Sequence, residues 1–251
     1  MLSCRRLVHT RGLLPKMPLD TPAAQDSAKA HIHALCVSER TAVLSLGCRY
    51  AVLCASLSSA NIPTAFAPAL DALAEIAVDE KERAVCLRKG REAVYKSYTV
   101  AGMPKTINGL SELRSGAIAR WPSSAATFDE PLPEDQTGST EQQRAERGQV
   151  LFNEVYGRTA QRLTDILGSL HPRLLSVIVT DAYGKILADT GVLGLEETEL
   201  VMVGALKVQG GPVAKQVESH RRGAVRMGAS QSHVEAAEYI ADEVVRLKEM
   251  A

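Results

Sequence analysis

The sequence is poor in aromatic residues, in net charge and in long apolar runs. Aromatic residues make up 4% of the 251 residues, which argues against a β-sandwich, because strands are enriched in such side chains. Basic and acidic residues number 29 each, so the formal net charge is zero. A neutral chain has no overall field that would hold nucleic acid, and we predict no nucleic-acid partner. The most apolar window, residues 42–57, carries Arg49 at its centre and is shorter than the roughly 20 residues of a membrane span. We therefore predict no membrane span.

The cysteine and histidine patterns exclude two common kinds of site. The five cysteines are odd in number and include no C-x-x-C pair, which argues against a disulfide framework or a zinc ribbon. They are Cys4, Cys36, Cys48, Cys54 and Cys86. We interpret them as reduced, partly buried thiols. His31 and His33 stand two apart and would point to different faces of a helix. We predict no metal and no cofactor.

The N-terminal segment has the composition of an organelle address. Residues 1–19 contain Arg5, Arg6, Arg11 and Lys16 but no acid, with leucines and hydroxyl residues among the bases. This composition predicts a mitochondrial transit peptide and a location in the mitochondrial matrix. The alternative is a basic tail without a targeting role.

Apolar residues recur at spacings of three and four along most of the chain, which predicts helices. Capping boxes formed by Thr140 with Gln143, and by Ser232 with Glu235, mark two helix starts. Residues 174–188 contain a cluster of β-branched residues, so a buried strand is the alternative there. The pattern as a whole predicts an all-α fold.

An acidic, proline-containing segment divides these helices into two blocks. We assign residues 25–120 to a first, degenerate helical repeat, residues 121–139 to the linker and residues 140–249 to a second helical repeat. Glycine–proline corners occur in both blocks, at residues 102–104 and 210–212. They predict an all-α helical bundle built from two diverged helical repeats.

Several motifs of the second block occur in a characteristic order. They are Tyr183-Gly184, Glu197-Thr198-Glu199-Leu200, Gly204-Ala205-Leu206, His220-Arg221-Arg222-Gly223-Ala224 and Met227-Gly228-Ala229-Ser230. In order and spacing they resemble the carboxymuconolactone decarboxylase family, which also contains the AhpD-like alkylhydroperoxidases. The resemblance spans roughly residues 80–245. It implies an AhpD-like helical bundle and assembly into a homo-oligomer.

The redox chemistry of that family is not expected in this chain. Its peroxidatic members carry C-x-x-C just before the helix histidine, at positions that correspond to Val213 and Gln216 here. Neither residue can form a thiolate or a disulfide. We therefore disfavour a thiol hydroperoxidase.

The remaining chemistry of the family points to His220. Histidine ordinarily titrates near physiological pH, so the resemblance makes His220 a candidate acid or base. Glu199 could orient its imidazole. Arg221 and Arg222 are candidate substrate-binding residues for a carboxylate. The alternatives are a core histidine, a helix-terminal carboxylate and a solvated arginine face.

Two functions follow as expectations. The first is a mitochondrial lyase or isomerase, similar to carboxymuconolactone decarboxylase, that acts without a cofactor on a small organic acid. The second is a non-catalytic oligomerisation or assembly subunit of a larger mitochondrial complex. A pocket beside His220 would favour the enzyme.

Overall fold

The computed structural model describes residues 21–129, 139–171 and 173–250, and 84% of these residues are helical. No strand occurs among them, which confirms the prediction of an all-α helical bundle. The predicted transit peptide and most of the predicted linker lie outside the described residues. The α-helices are α1 (Pro22–Val37), α2 (Leu46–Ala60), α3 (Phe66–Ile76), α4 (Glu80–Ala101), α5 (Met103–Arg120), α6 (Ala125–Asp129), α7 (Glu141–Tyr156), α8 (Ala160–Leu170), α9 (Leu174–Ser176), α10 (Leu195–Lys207), α11 (Ala214–Arg226) and α12 (Gln231–Met250). A π-helix, Val177–Leu187, follows α9.

The centre of the bundle is formed by α2 and α10. Nearly every residue of α2 is buried, and α10 is buried from Thr198 to Leu206. The two helices approach closely at Gly204, where a Cβ atom would lie 2.8 Å from the Cγ1 of Val52. Because α2 comes from the first block and α10 from the second, helices of both blocks share one core. The division into two repeats itself stays a prediction.

Both glycine–proline corners have the backbone that glycine favours. Gly102 ends α4 with a φ of 87°, and Gly210 follows α10 with a φ of 85°. A side chain with a Cβ atom would be strained at either angle. Each corner turns the chain directly into the next helical segment.

One predicted helix cap is confirmed and one is wrong. The capping box of Thr140 and Gln143 is present at the start of α7. At α12, by contrast, the hydroxyl of Ser230 accepts a hydrogen bond from the backbone N–H of His233, at 3.1 Å. The helix therefore begins two residues earlier than the predicted box of Ser232.

The segment where a strand was the alternative is a π-helix packed tightly on α7. A Cβ atom on Gly148 of α7 would lie 1.9 Å from the carbonyl oxygen of Val179, and one on Gly184 would lie 2.0 Å from that of Arg144. Two glycines therefore set the distance between the helices. This crossing brings Tyr183 of the π-helix beside Tyr156 at the end of α7.

A buried lysine holds the far end of the π-helix. The Nζ of Lys96 donates hydrogen bonds to the carbonyl oxygen of Leu187, at 3.2 Å, and to the hydroxyl of Thr198, at 2.9 Å, and it also donates to the carbonyl of Asp189. Burial lowers the pKa of Lys96 to about 8, although Glu92 opposes that shift. Lys96 thus ties α4, α10 and the π-helix together.

None of the helices in the described parts of the chain has both the length and the apolar character needed to cross a membrane.

Candidate functional site

The most deeply buried acidic–imidazole pair joins α10 to α11. Glu199 is 1% exposed and His220 is 4% exposed. The Nδ1 atom of His220 lies 2.9 Å from Oε2 of Glu199. The predicted contact between these two residues is therefore present. The tautomer in which Nδ1–H donates to this carboxylate leaves the lone pair on Nε2, as a general base requires.

A missing side chain makes room for this pair. Gly223 lies one helical turn after His220, and a Cβ atom there would lie 2.4 Å from Oε2 of Glu199. The same Cβ atom would lie 2.9 Å from Cγ1 of Val155. Glycine at this position therefore lets the carboxylate of Glu199 reach the imidazole ring.

Aromatic residues cover the pair on the side of α7. The ring of Tyr156 meets the imidazole of His220 edge-on, with 6.2 Å between ring centroids. The hydroxyl of Tyr183 donates to the hydroxyl of Tyr156 at 3.0 Å, and Phe152 packs against both rings. Burial raises the pKa of Tyr156 and raises that of Tyr183 further. Both phenols are therefore neutral at physiological pH and can act only as hydrogen-bonding groups.

Three other histidine–glutamate pairs of the described residues are more exposed. His233 contacts Glu196 at 2.7 Å, His31 contacts Glu243 at 3.1 Å, and His33 lies 3.9 Å from Glu75. The side chains of His233 and Glu196 are 30% and 36% exposed, against 5% and 2% for His220 and Glu199. In the ranges that the structure describes, no three potential ligands cluster as a metal site would require.

A basic pocket adjoins Tyr156 between α8 and α11. Its volume is about 340 Å³, within the range of small-molecule sites. Four of its lining residues are basic: Arg162, Lys215, Arg222 and Arg226. Tyr156 lines the pocket and also contacts the His220 ring, so it separates the pocket from the buried pair.

The two predicted substrate-binding arginines have different surroundings. Arg222 lines the basic pocket, and its Nε atom lies 2.8 Å from Glu218. Arg221 faces Glu218 and Glu238 at 3.0 and 3.4 Å and does not line that pocket. The assignment of substrate binding to both arginines stays a prediction.

Sequence reasoning missed Tyr156 and most of the pocket's basic residues. Lys215, Arg222 and Arg226 follow one face of α11 at spacings of seven and four. That spacing was visible in the sequence, but Arg162 comes from a different helix. Both α8 and α11 contact α7, and this arrangement brings Arg162 to the same pocket.

The four described cysteines lack the properties of redox-active thiols. Cys36, Cys48, Cys54 and Cys86 are free and buried. Burial raises the pKa of Cys36 to about 11 and those of Cys48 and Cys86 to about 12. A thiolate is therefore disfavoured at each of these positions.

Comparisons with known proteins identify relatives of the chain. No protein-family model matches it, and no solved structure gives a significant match. Peroxisomal protein 2 of Schizosaccharomyces pombe is 31% identical over 156 residues, which cover 62% of this chain and 68% of that protein. The chain belongs to the peroxisomal protein 2 family. Peroxisomal protein 2 of Saccharomyces cerevisiae is 28% identical over 165 residues, which cover 59% of this chain and 57% of that relative's length.

These relatives overturn the predicted location. Both are named as peroxisomal proteins, so the assignment to the mitochondrial matrix is wrong. The prediction depended on the composition of residues 1–19, and a short basic segment rich in leucine and hydroxyl residues is only a compositional signal.

The predicted function is overturned with it. A mitochondrial lyase or isomerase similar to carboxymuconolactone decarboxylase, and the alternative of a subunit in a mitochondrial complex, both disagree with the peroxisomal relatives. The names of the relatives do not bear on the resemblance in sequence to that family, which stays a prediction.

Proposed function

We propose that this chain acts in peroxisomes as an acid–base enzyme whose proton-transfer site is the pair of Glu199 and His220. The peroxisomal location is supported by the names of both relatives. The chemistry is supported by one observation above all, the 2.9 Å hydrogen bond between two side chains that are almost completely buried.

Burying this pair costs free energy that an apolar contact between the same two helices would avoid. Taking a carboxylate and an imidazole out of water is unfavourable, and a well-packed apolar pair is often as stable. Buried, paired titratable groups beside a pocket are therefore candidates for function. The pair of His233 and Glu196 has the same chemistry without the burial.

The proposed roles follow from the geometry. Glu199 fixes the orientation of the His220 ring, as an orienting carboxylate does for a catalytic histidine. His220 does not line the basic pocket, so the ring of Tyr156 must move aside for Nε2 of His220 to take a proton from the substrate and return it. Tyr156, between the pocket and the imidazole, excludes water from the pair and presents a neutral hydroxyl group.

Exchange of substrate hydrogen with solvent tests this proposal. Purified full-length protein is incubated in D₂O with a panel of small carbonyl compounds, and deuterium incorporation is followed by mass spectrometry. We expect incorporation into at least one compound. His220→Asn should abolish it, because the amide cannot accept the proton, and Glu199→Gln should slow it by about 10²-fold or more.

The exposed pair supplies the matched control. His233→Asn removes a histidine that also contacts a glutamate, and it should leave the exchange rate unchanged. Absence of exchange with every compound, or equal exchange in the folded His220→Asn variant, would contradict the proposal.

A further inference from the structure

The walls of the basic pocket carry an excess of positive charge. Four cationic side chains line it and no acidic residue does. Arg222 has an acidic partner, Glu218, outside the lining. Arg226 donates instead to the neutral carbonyl of Val155 at 2.6 Å. Within the described chain, neither Arg162 nor Lys215 has an ion pair.

Three positive charges in this small volume therefore have no counter-charge among the described residues. Like charges held together repel one another, so an anion that enters the pocket relieves the repulsion. One carboxylate supplies a single negative charge, whereas a phosphate group supplies up to two and offers three acceptor oxygens. Arginine forks match the spacing of phosphate oxygens.

The pocket also has an apolar wall. Leu163 and Ile166 of α8 line it, and Ile166 remains 44% exposed. Tyr156 continues this apolar surface toward His220. A ligand that fills the pocket would place a charged group against the four basic side chains and a carbon skeleton against Leu163 and Ile166.

We propose that the basic pocket binds a phosphate-bearing small molecule, with its phosphate group held by Arg162, Lys215, Arg222 and Arg226. The inference rests on the proposed function, since it names the class of substrate for the same site. The carbon skeleton packs on Leu163 and Ile166, beside the ring of Tyr156.

Titration calorimetry with phenyl phosphate, benzoate and inorganic phosphate tests the proposal on the full chain. Phenyl phosphate should bind at least about tenfold more tightly than benzoate, because it brings more charge to the arginines. It should also bind more tightly than inorganic phosphate, which has no group for the apolar wall. Equal binding of phenyl phosphate and benzoate, or no binding of phenyl phosphate at about 10 mM, would overturn the proposal.

Variants locate the binding to the pocket. The double variant Arg162→Gln, Lys215→Gln should weaken phenyl phosphate binding by about tenfold or more. Both side chains lie at the pocket surface, and circular dichroism should show the fold unchanged. Arg158→Gln removes an exposed charge that does not line the pocket and serves as the control. Equal loss in the control and in the double variant would overturn the assignment to this pocket.

The two proposals can fail separately. Phenyl phosphate binding that persists in His220→Asn, while deuterium exchange is lost, supports both. If the wild-type protein binds phenyl phosphate but exchanges no substrate hydrogen, the proposed class of ligand is supported and the acid–base function is contradicted. If exchange depends on His220 but phenyl phosphate does not bind, only the proposal of a phosphate-bearing ligand is contradicted.

Discussion

Gly223→Ala should separate Glu199 from His220 without removing either residue. The added Cβ atom would lie 2.4 Å from Oε2 of Glu199, whereas non-bonded heavy atoms settle near ~3.5 Å. The carboxylate must therefore retreat by about 1 Å. The new methyl group cannot easily move away from Glu199 instead, because Cγ1 of Val155 would lie 2.9 Å from the same Cβ atom.

This substitution makes two opposing contributions to the free energy of unfolding. Alanine in place of glycine within a helix contributes about 1 kcal/mol of stability. Losing the buried hydrogen bond to the carboxylate of Glu199 costs about 1.5 to 3 kcal/mol. We therefore expect the free energy of unfolding to fall by about 0.5 to 2 kcal/mol.

Urea unfolding monitored by circular dichroism measures this change, and Gly168→Ala is the control. Gly168 lies in α8, is exposed, and has open space at its Cβ position, so alanine there should be neutral or stabilising. A Gly223→Ala protein as stable as the wild type would refute the claim that this glycine makes room for the pair.

Three further predictions concern the packing and the titrating groups. Gly184→Ala should destabilise the fold by several kcal/mol, of order ~3, because its Cβ atom would meet the backbone of Arg144; thermal unfolding tests this. Tyr183→Phe should raise the pKa of Tyr156, since the hydrogen bond from Tyr183 lowers it, and ultraviolet titration of the phenols would show no change if the bond is absent. The free energy of unfolding should fall as pH rises from 9 toward 12, because the unfolded chain releases thiol protons that the folded chain keeps. Lys96 acts in the opposite direction between about 8 and 10.5, where the folded chain has lost a proton that the unfolded chain holds, so Lys96→Met should make the measured fall steeper.

Most of the helices could be predicted from the sequence, but the π-helix could not. Apolar spacing predicted helices correctly, and the glycine–proline corners have the positive φ angles expected of helix ends. The π-helix was not predicted, because its residues have the same apolar character as an α-helix or a buried strand. Its form depends on contacts with α7 at Gly148 and on the bonds from Lys96.

The site was predictable only in part, because some of its residues lie in local sequence motifs and others are brought together by the fold. Glu199 and His220 belong to motifs that can be recognised in one chain, and the structure brings them into contact. Tyr156 and Arg162 come from other helices and carry no local signal. The organelle could not be predicted from the composition of residues 1–19, and the relatives named as peroxisomal proteins corrected it.

The position of the ring proton on His220 decides whether this histidine can act as a base. Long-range ¹⁵N–¹H correlation spectra of the full chain at neutral pH distinguish the two neutral tautomers of each histidine. We expect His220 to carry its proton on Nδ1, facing Glu199, with Nε2 unprotonated, and we expect Glu199→Gln to disturb this signal while Glu196→Gln does not. A wild-type His220 with its proton on Nε2 alone would refute the proposed acid–base role, because that nitrogen could not then accept a proton from a substrate.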